Sequence, residues 1–273
     1  ELGRAVPVEA LPRAGRAGLD APAPVSAADP EVARIASSLT FACATDGNHG
    51  QSVAAGARLM GAQAVIFVHQ GVTAERRASI ARFGARIRIV SGNYDDAVTE
   101  SARESERHGW TLLSDTSWPG YADIPRRVMQ GYTLMTHEVA AQLAEPPTHV
   151  FLQAGVGGFA AAVAASLPVR AGAAAPRVVV VEPSRAACLL ASARAGRCTA
   201  IEPDEPTVMS MLECYEPSEL AWTLLAPRAA AFMTIGDEAA LDAMRRLARP
   251  DDPAEGVVAG ESGAAGLAGL IAA

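Results

Sequence analysis

Short apolar runs alternate with amphipathic stretches along most of the chain. From residue 39, four runs rich in β-branched or other apolar residues are typical of strands: Leu39–Ala44, Ala64–His69, Arg86–Ser91 and Trp110–Ser114. Between them, apolar residues at three- and four-residue spacing predict helices: His49–Met60, Ala74–Phe83 and Asp95–His108. Because parallel strands need crossover connections, this order predicts a parallel sheet with helices on both faces.

A second alternating series follows a long predicted helix at Ile124–Leu143. Its predicted strands are His149–Gln153, Arg177–Val181, Ala231–Ile235 and Gly256–Ala259, and its predicted helices are Gly158–Leu167, Ala186–Ala195, Ser218–Leu225, Asp237–Leu247 and a last one from Ala264. The sequence thus predicts an α/β fold of two αβα lobes with mainly parallel sheets. We expect a connecting segment at 1–38, a small lobe at 39–123 and a large lobe at 124–273. Ligands of such sheets bind at the carboxyl ends of the strands, often in the cleft between lobes.

Composition narrows the class of protein. With 50% hydrophobic and 19% charged residues, the 273-residue chain can bury a sizeable core. The net charge of −7 forms no basic stripe, so neither nucleic acid nor an anionic membrane is expected as a partner. The longest apolar run, around Ala154–Leu167, is glycine-broken and too short for a membrane span. The cysteines at 43, 188, 198 and 214 lack metal-ligand spacing, which predicts reduced thiols, a cytoplasmic protein and no metal site.

The first of two glycine-rich turns between a strand and a helix is Thr45-Asp46-Gly47-Asn48-His49-Gly50. Its glycines permit a tight turn and close approach of a ligand, and its polar side chains stand at a helix N-terminus. The alternative is an N-capped turn, since Asp or Asn before a helix satisfies its unpaired amides. Local chemistry leaves both interpretations open.

The second turn, Gly155-Val156-Gly157-Gly158-Phe159-Ala160, offers successive backbone amides at a helix start, which suits a phosphate group. It also fits the pattern G-x-G-x-x-A of dinucleotide-binding folds. The next predicted strand ends at Glu182, roughly where such folds carry the acid that binds ribose. A nicotinamide-dependent oxidoreductase is therefore a competing hypothesis.

Further motifs follow one another from about Thr40 to the end of the chain. They are Asn93-Tyr94-Asp95-Asp96, Asp115-Thr116, Trp118, Gly120-Tyr121, Ile124-Pro125, Met129-Gln130-Gly131-Tyr132, Gln153-Ala154-Gly155, Val181-Glu182-Pro183 and Gly260-Glu261-Ser262-Gly263. With the two turns, this series resembles the fold-type-II pyridoxal-phosphate enzymes, the group of threonine dehydratase and the tryptophan synthase β subunit. Within that group, it is most similar to the diaminopropionate ammonia-lyase family.

The resemblance implies a set of residues that hold the cofactor. Asn48 would bind its 3′ oxygen, as the asparagine of the corresponding loop does in the family. The glycine-rich turn would hold the phosphate, a role that falls to Gly155, Val156, Gly157 and Gly158. Glu261 would border the cofactor ring or a helix N-terminus.

The resemblance also implies the chemistry. The expected reaction eliminates ammonia from a small amino acid, 2,3-diaminopropionate, to give pyruvate, in a cytoplasmic homodimer. Relatives that act on serine or threonine usually have Ser at the position of Asp46. A carboxylate there can act as a base and attract the second ammonium group of the substrate. Asp115 is the other acid expected to face the substrate.

The chain lacks lysine, the residue type that binds the cofactor in this group of enzymes. All 23 residues counted as Lys or Arg are arginines, so the chain has no lysine. Enzymes of this group bind the cofactor through a lysine upstream of the asparagine loop. Either these residues are the core of a longer enzyme, or the protein is a lysine-free relative that binds without catalysis. Because the chain starts at Glu1 without a methionine and stops at Ala273 within an apolar helical pattern, we favour the first interpretation.

Overall fold

The computed structural model describes residues 29–45, 47–92, 94–171, 175–203, 205–251 and 255–273. These residues form two compact units, which divide between Asp115 and Thr116. Asp46, a predicted site residue, lies outside the described residues, as does most of the predicted connecting segment. The lobe limits predicted from the sequence, at residues 38 and 123, stay predictions.

The unit that ends at Asp115 contains one parallel sheet with the strand order β3-β2-β1-β4. Its elements are α1 (Pro30–Ser37), β1 (Thr40–Ala44), α2 (Asn48–Met60), β2 (Gln63–His69), α3 (Ala74–Ala81), β3 (Arg86–Val90), α4 (Tyr94–His108) and β4 (Thr111–Leu112). A helix connects each strand to the next, as parallel pairing requires.

The two faces of this sheet are covered by different helices. Cys43 and Ile66 belong to a buried cluster that includes residues of α2 and α3. Their strand neighbours Ala42 and Phe67 belong to another cluster, which includes Ala97 of α4. Because successive side chains of a strand point to opposite faces, burial on both sides produces the continuous apolar runs of β1 and β2. The predicted parallel sheet with helices on both faces is confirmed.

The unit from Thr116 onward contains a parallel sheet with the strand order β5-β6-β7. Its elements are α5 (Asp123–Gln142), β5 (His149–Gln153), α6 (Gly158–Ala171), β6 (Arg177–Pro183), α7 (Cys188–Ala195), a 3-10 turn (Ser210–Leu212), α8 (Glu219–Leu225), β7 (Ala229–Ile235), α9 (Asp237–Ala248) and α10 (Ala265–Ala272). One buried cluster joins α6 and α8 to β6, and another joins α9 and α10 to the sheet. This sheet, too, is covered on both faces.

Two details of the secondary structure differ from the sequence interpretation. Gly256–Ala259 is predicted to be a strand, but it pairs with no strand of the described residues, and this prediction is wrong. Val258 is 96% exposed, so the β-branched residues there have no buried sheet face to pack against. Helix α1 lies inside the predicted connecting segment; Asp29 caps it by accepting a hydrogen bond from the N–H of Glu31 at 2.8 Å, and Pro30 suits its first position.

Helix α5 is the longest helix, with 20 residues. Its sequence mixes apolar residues with Asp123, Arg126, Arg127 and Glu138. Across the described ranges, no helix combines the length and the apolar character that a membrane crossing demands.

Candidate active site

The turn after β1 is built around the hydroxyl group of Thr45. This side chain is buried, and its Oγ1 accepts hydrogen bonds from the backbone N–H of Gly47 at 3.0 Å and of Gly50 at 3.1 Å. A Cβ atom at Gly50 would collide with the Thr45 methyl group, so this position requires glycine. Thr45 therefore caps α2, a role that the capped-turn alternative gave to Asp or Asn.

Two side chains at the start of α2 have different surroundings. Asn48, the first residue of the helix, is exposed, so a ligand can reach its amide group. The Nε2 of His49 lies 2.7 Å from the carbonyl oxygen of Leu113, and this hydrogen bond joins α2 to the segment after β4. His49 thus has a structural role in the turn.

Asp115 belongs to the same unit and follows the strand next to β1. β4 pairs in parallel with β1, and the N–H of Leu113 donates to the carbonyl oxygen of Ala42 at 2.7 Å. Burial, followed by the charge of Asp115, raises the pKa of the Cys43 thiol, which places this carboxylate close to the end of β1. The structure therefore brings Asp115 to the sheet edge from which the Thr45 turn leaves.

The glycine-rich turn after β5 has no room for side chains at two positions. A Cβ atom at Gly155 would lie 2.8 Å from Sγ of Cys214. Gly157 has a φ of +97°, and a Cβ atom there would lie 3.2 Å from side-chain atoms of Leu189, Ala221 and Leu225. The positive φ and the close packing both select glycine at 157. Helix α6 then begins at Gly158.

This turn fits a phosphate group. Amides in the first turn of a helix have no intrahelical acceptor, and the helix dipole favours an anion there. Among the described residues, no side-chain oxygen accepts a hydrogen bond from the N–H of Gly157, Gly158 or Phe159. Gly155 and Val156 are only half-buried, so an anion can approach the turn.

Glu182 at the end of β6 has a structural role instead of a ribose-binding one. The residue is fully buried, and its carboxylate accepts hydrogen bonds from the N–H of Leu189 at 2.7 Å and of Leu190 at 2.8 Å. Burial raises the pKa of Glu182 to about 7, against the opposing effect of these two hydrogen bonds. The carboxylate therefore caps α7, and the dinucleotide-binding hypothesis loses the acid on which it depends.

The turn that carries Glu261 lies near the glycine-rich turn in the same unit. It leads into α10, where a Cβ atom at Gly266 would lie 2.7 Å from the carbonyl oxygen of Phe151 and 3.1 Å from Oε1 of Gln153. The start of α10 is thus packed against the carboxyl end of β5, from which the Gly155 turn departs. Glu261 itself is half-buried.

The sequence interpretation missed Ser262. Its hydroxyl oxygen is buried, and no hydrogen-bond partner for it exists among the described residues. Because buried polar atoms are normally paired, an orphan at this edge of the sheet fits a site that a polar ligand completes. The only sequence signal was the position of Ser262 in the Gly260–Gly263 motif, because an unpaired atom has no sequence signature.

The predicted site residues fall into two groups, one in each unit. Asn48 and Asp115 lie at the carboxyl edge of the first sheet, as does the Thr45 turn. The Gly155–Gly158 turn and Glu261 lie at the carboxyl edge of the second sheet. The position of Asp46 lies outside the described residues.

Comparison with known proteins adds independent findings. A family model described as pyridoxal-phosphate dependent enzyme matches residues 25–273. Diaminopropionate ammonia-lyase of Escherichia coli (strain K12) is 38% identical over 242 residues, which are 88% of this chain and 61% of that protein. The chain thus spans about three fifths of the length of this relative.

Solved structures have the same fold. The crystal structure of holo diaminopropionate ammonia lyase from Escherichia coli matches with a TM-score of 0.78 and 37% identity, over 86% of this chain and 59% of that chain. The processed form of threonine deaminase isoform 2 from Solanum lycopersicum matches with a TM-score of 0.74 over 86% of this chain and 64% of that chain. At 21% identity, the second match shows the shared fold alone.

Proposed function

Because the chain belongs to the family of pyridoxal-phosphate dependent enzymes, we propose that the whole protein eliminates ammonia from 2,3-diaminopropionate and forms pyruvate. Pyridoxal phosphate is the cofactor of this family, and the predicted fold-type-II α/β fold is confirmed by the structural matches. The observation that carries the proposal is the glycine-rich turn, which excludes side chains at Gly155 and Gly157 and presents uncapped amides to an anion. The relative that is 38% identical over most of the chain is named for the proposed reaction.

The family resemblance assigns the proposed contacts with the cofactor to four backbone amides and two side chains. The backbone N–H groups of Gly155, Val156, Gly157 and Gly158 bind its phosphate, because they stand at a helix N-terminus. The exposed amide of Asn48 donates to the 3′ oxygen, and Glu261 borders the ring. When bound, pyridoxal phosphate draws electrons away from the α carbon of an amino acid, which makes the α proton acidic and allows a β substituent to leave.

Two carboxylates are proposed to act on the substrate. Asp46 accepts a proton, and its negative charge attracts the second ammonium group that distinguishes diaminopropionate from serine or threonine. Asp115 orients the substrate from the neighbouring strand end. The half-buried position of Asp115 beside the end of β1 supports this role, because the carboxylate is both held in place and accessible.

Because the chain has no lysine, two proposals about the covalent link to the cofactor remain. The favoured one places the covalent link to the cofactor on a lysine outside these 273 residues, since all 23 Lys or Arg residues here are arginines. That lysine-free composition is also the observation that favours the second candidate, a protein of this fold that binds pyridoxal phosphate without catalysis. With the 273 residues alone, borohydride treatment should leave no cofactor adduct on a lysine, whereas the whole protein should acquire one.

The activity is tested with the whole protein, pyridoxal phosphate and the D and L isomers of 2,3-diaminopropionate. We expect one pyruvate and two ammonia molecules for each substrate molecule consumed, and a much lower rate with serine or threonine. A protein that turns over serine or threonine but not diaminopropionate would refute the substrate assignment. Cofactor binding without turnover of any of these amino acids would favour the second candidate.

The proposed enzyme is a cytoplasmic homodimer. All four cysteines are free thiols, which suits a reducing compartment. The exposed apolar side chains of Met135 and Val139 on α5, and of Leu143 directly after it, supply a surface for a second copy. Sedimentation analysis of the whole protein should give twice the chain mass, and a concentration-independent monomer would contradict the assembly.

A further inference from the structure

Two serines that are far apart in the sequence form a buried pair behind the glycine-rich turn. Ser117 and Ser218 are 4% and 1% exposed, and their hydroxyl oxygens lie 2.8 Å apart. Both belong to the unit that contains the turn. Buried hydroxyl groups of this kind fix the segments that carry them, because an unpaired hydroxyl group would cost free energy.

Each hydroxyl oxygen of the pair also accepts a backbone hydrogen bond. The N–H of Ser117 donates to Oγ of Ser218 at 3.1 Å, and the N–H of Leu220 donates to Oγ of Ser117 at 2.9 Å. Ser218 occupies the N-cap position of α8 but does not cap it with its own side chain. Ser117 supplies that cap from another segment, and so locks the first turn of α8 in place.

The glycine-rich turn packs against helix α8. The N–H of Ser218 donates to the carbonyl oxygen of Val156 at 3.0 Å. The Cα of Gly157 is so close to α8 that an added Cβ would lie 3.2 Å from the side chains of Ala221 and Leu225. Any shift of α8 would therefore be transmitted to the Val156–Gly157 peptide.

The hydrogen bond to Val156 fixes the direction of the next amide. In a trans peptide, the C=O of Val156 and the N–H of Gly157 point in opposite directions, and no peptide of the described residues is cis. Since this C=O points toward α8, the N–H of Gly157 points away from α8. The N–H of Gly157 therefore points to the side of the turn that is opposite α8. A bound anion on that side can accept its hydrogen bond.

We propose that Ser117 and Ser218 are positioning residues that hold the Val156–Gly157 peptide in the orientation that binds the cofactor phosphate. The inference rests on the proposed function only in that a phosphate group occupies the turn. Neither serine touches the phosphate in this account; both act through α8. Loss of the pair lets the peptide rotate, and the phosphate then loses a fixed donor.

The test compares pyridoxal phosphate with pyridoxal, which lacks the phosphate, by measuring their dissociation constants for the whole protein. In Ser117→Ala, we expect the affinity for pyridoxal phosphate to fall about tenfold, the weight of one lost hydrogen bond to a charged group. The affinity for pyridoxal should stay nearly unchanged. The double variant Ser117→Ala/Ser218→Ala should bind pyridoxal phosphate only slightly less tightly than the single variant with the lower affinity, because the pair acts as a unit.

Ser166→Ala is the matched control. Ser166 is as buried as Ser218, but its hydroxyl group donates to the carbonyl oxygen of Val163 within α6, at 3.0 Å, away from the turn. This variant should lower stability without changing the ratio of the two affinities. If Ser218→Ala fails to fold, Ser117→Ala alone tests the pair, and the ³¹P chemical shift of bound pyridoxal phosphate provides a second measurement on this variant.

An equal loss for both ligands in the serine variants would overturn the proposal, as would an unchanged ratio. These outcomes are distinguishable from failure of the proposed function. A wild-type protein that binds pyridoxal phosphate better than pyridoxal but releases no ammonia refutes the reaction and leaves the positioning role open to confirmation. A wild-type enzyme that releases ammonia while the serine variants keep their phosphate preference refutes the positioning role alone.

Discussion

The two glycine-rich turns differ in which groups accept hydrogen bonds from their backbone amides. In the turn after β1, the buried Thr45 hydroxyl group takes the amides of Gly47 and Gly50. In the turn after β5, no described side chain takes the amides of Gly157, Gly158 or Phe159. The amides of Gly47 and Gly50 are therefore already occupied, whereas those of Gly157, Gly158 and Phe159 can bind a ligand.

A third strand-to-helix connection supports this distinction. After β6, the buried Glu182 carboxylate accepts hydrogen bonds from the amides of Leu189 and Leu190 in the first turn of α7. A side chain thus occupies amides at the start of α2 and of α7, and no described side chain does so at Gly157, Gly158 or Phe159.

The largest expected effect concerns the side-chain chemistry of the first turn. In the whole enzyme, Asp46→Asn keeps the size of the side chain and removes its charge. Elimination from diaminopropionate should fall by about 10²–10⁴, the usual contribution of a general base, while cofactor absorbance survives. Steady-state kinetics measures this fall, and Asp115→Asn should show a smaller or isomer-dependent one.

Asp123→Asn is the control for the Asp46 and Asp115 variants, since Asp123 is exposed and forms a surface ion pair with Arg126. Its kinetics should match those of the wild type. Unchanged turnover in Asp46→Asn would show that Asp46 only shapes the turn.

The second prediction concerns the backbone of the glycine-rich turn. Gly157→Ala should lower the free energy of unfolding by about 2–5 kcal/mol, because a positive φ costs about 1–2 kcal/mol and overpacking adds about 1–3 kcal/mol. Binding of pyridoxal phosphate should be lost with it. Gly196→Ala is the matched control: Gly196 also has a positive φ, of +67°, but an added Cβ there meets open space. Urea denaturation that finds equal losses in the two variants would contradict the close packing of the turn.

Sequence patterns predicted most elements because those elements are local. Strand β5 matches its predicted bounds, and α2 begins one residue earlier than predicted, since hydrophobic periodicity and glycine punctuation act over a few residues. The strand predicted at Gly256–Ala259 is absent because a β-branched run also needs a partner strand. Periodicity carries no information about partners.

The candidate site was less predictable from the sequence. The sequence named the glycine-rich turns and Asp115 as candidates, but it offered Asp or Asn as the cap of α2 only as one of two open alternatives, and it left the role of Glu182 open. The pairing of Ser117 with Ser218 spans 101 positions and has no local signature. Contacts of this kind depend on how α8 packs, which only the fold determines.

A third prediction concerns the pH dependence of stability. Because burial raises the pKa of Glu182 from 4.5 to about 7, the folded state keeps a proton that the unfolded state releases between these values. The free energy of unfolding should therefore fall as pH rises from 4.5 to 7, by about 3 kcal/mol at most. In Glu182→Gln, which imitates the protonated form, this fall should be absent. Urea denaturation at pH 5 and pH 8 measures the fall in the free energy of unfolding. Glu31→Gln, at an exposed position, is the control and should keep the fall. A fall that persists in Glu182→Gln would show that another group causes it.

The smallest expected effect concerns the cap of α2. Thr45→Val keeps the shape of the side chain and removes the hydroxyl group, which leaves two buried amides unpaired. We expect a loss of about 1–2 kcal/mol in the free energy of unfolding. Thr73→Val is the matched control, because Thr73 caps α3 in an exposed position where water can replace it. An equal loss in both variants, read from thermal or urea denaturation, would show that burial of the Thr45 cap has no consequence.

Hydrogen–deuterium exchange tests the central claim most directly, because it reports on the amides of the two turns separately. On addition of pyridoxal phosphate to the whole protein, exchange should slow at Gly157, Gly158 and Phe159, and pyridoxal without the phosphate should leave these amides unchanged. The amides of Gly47 and Gly50 should exchange slowly before any ligand is added, because Thr45 already accepts their hydrogen bonds. Phosphate-dependent slowing at Gly47 and Gly50, with none at Gly157–Phe159, would contradict the account.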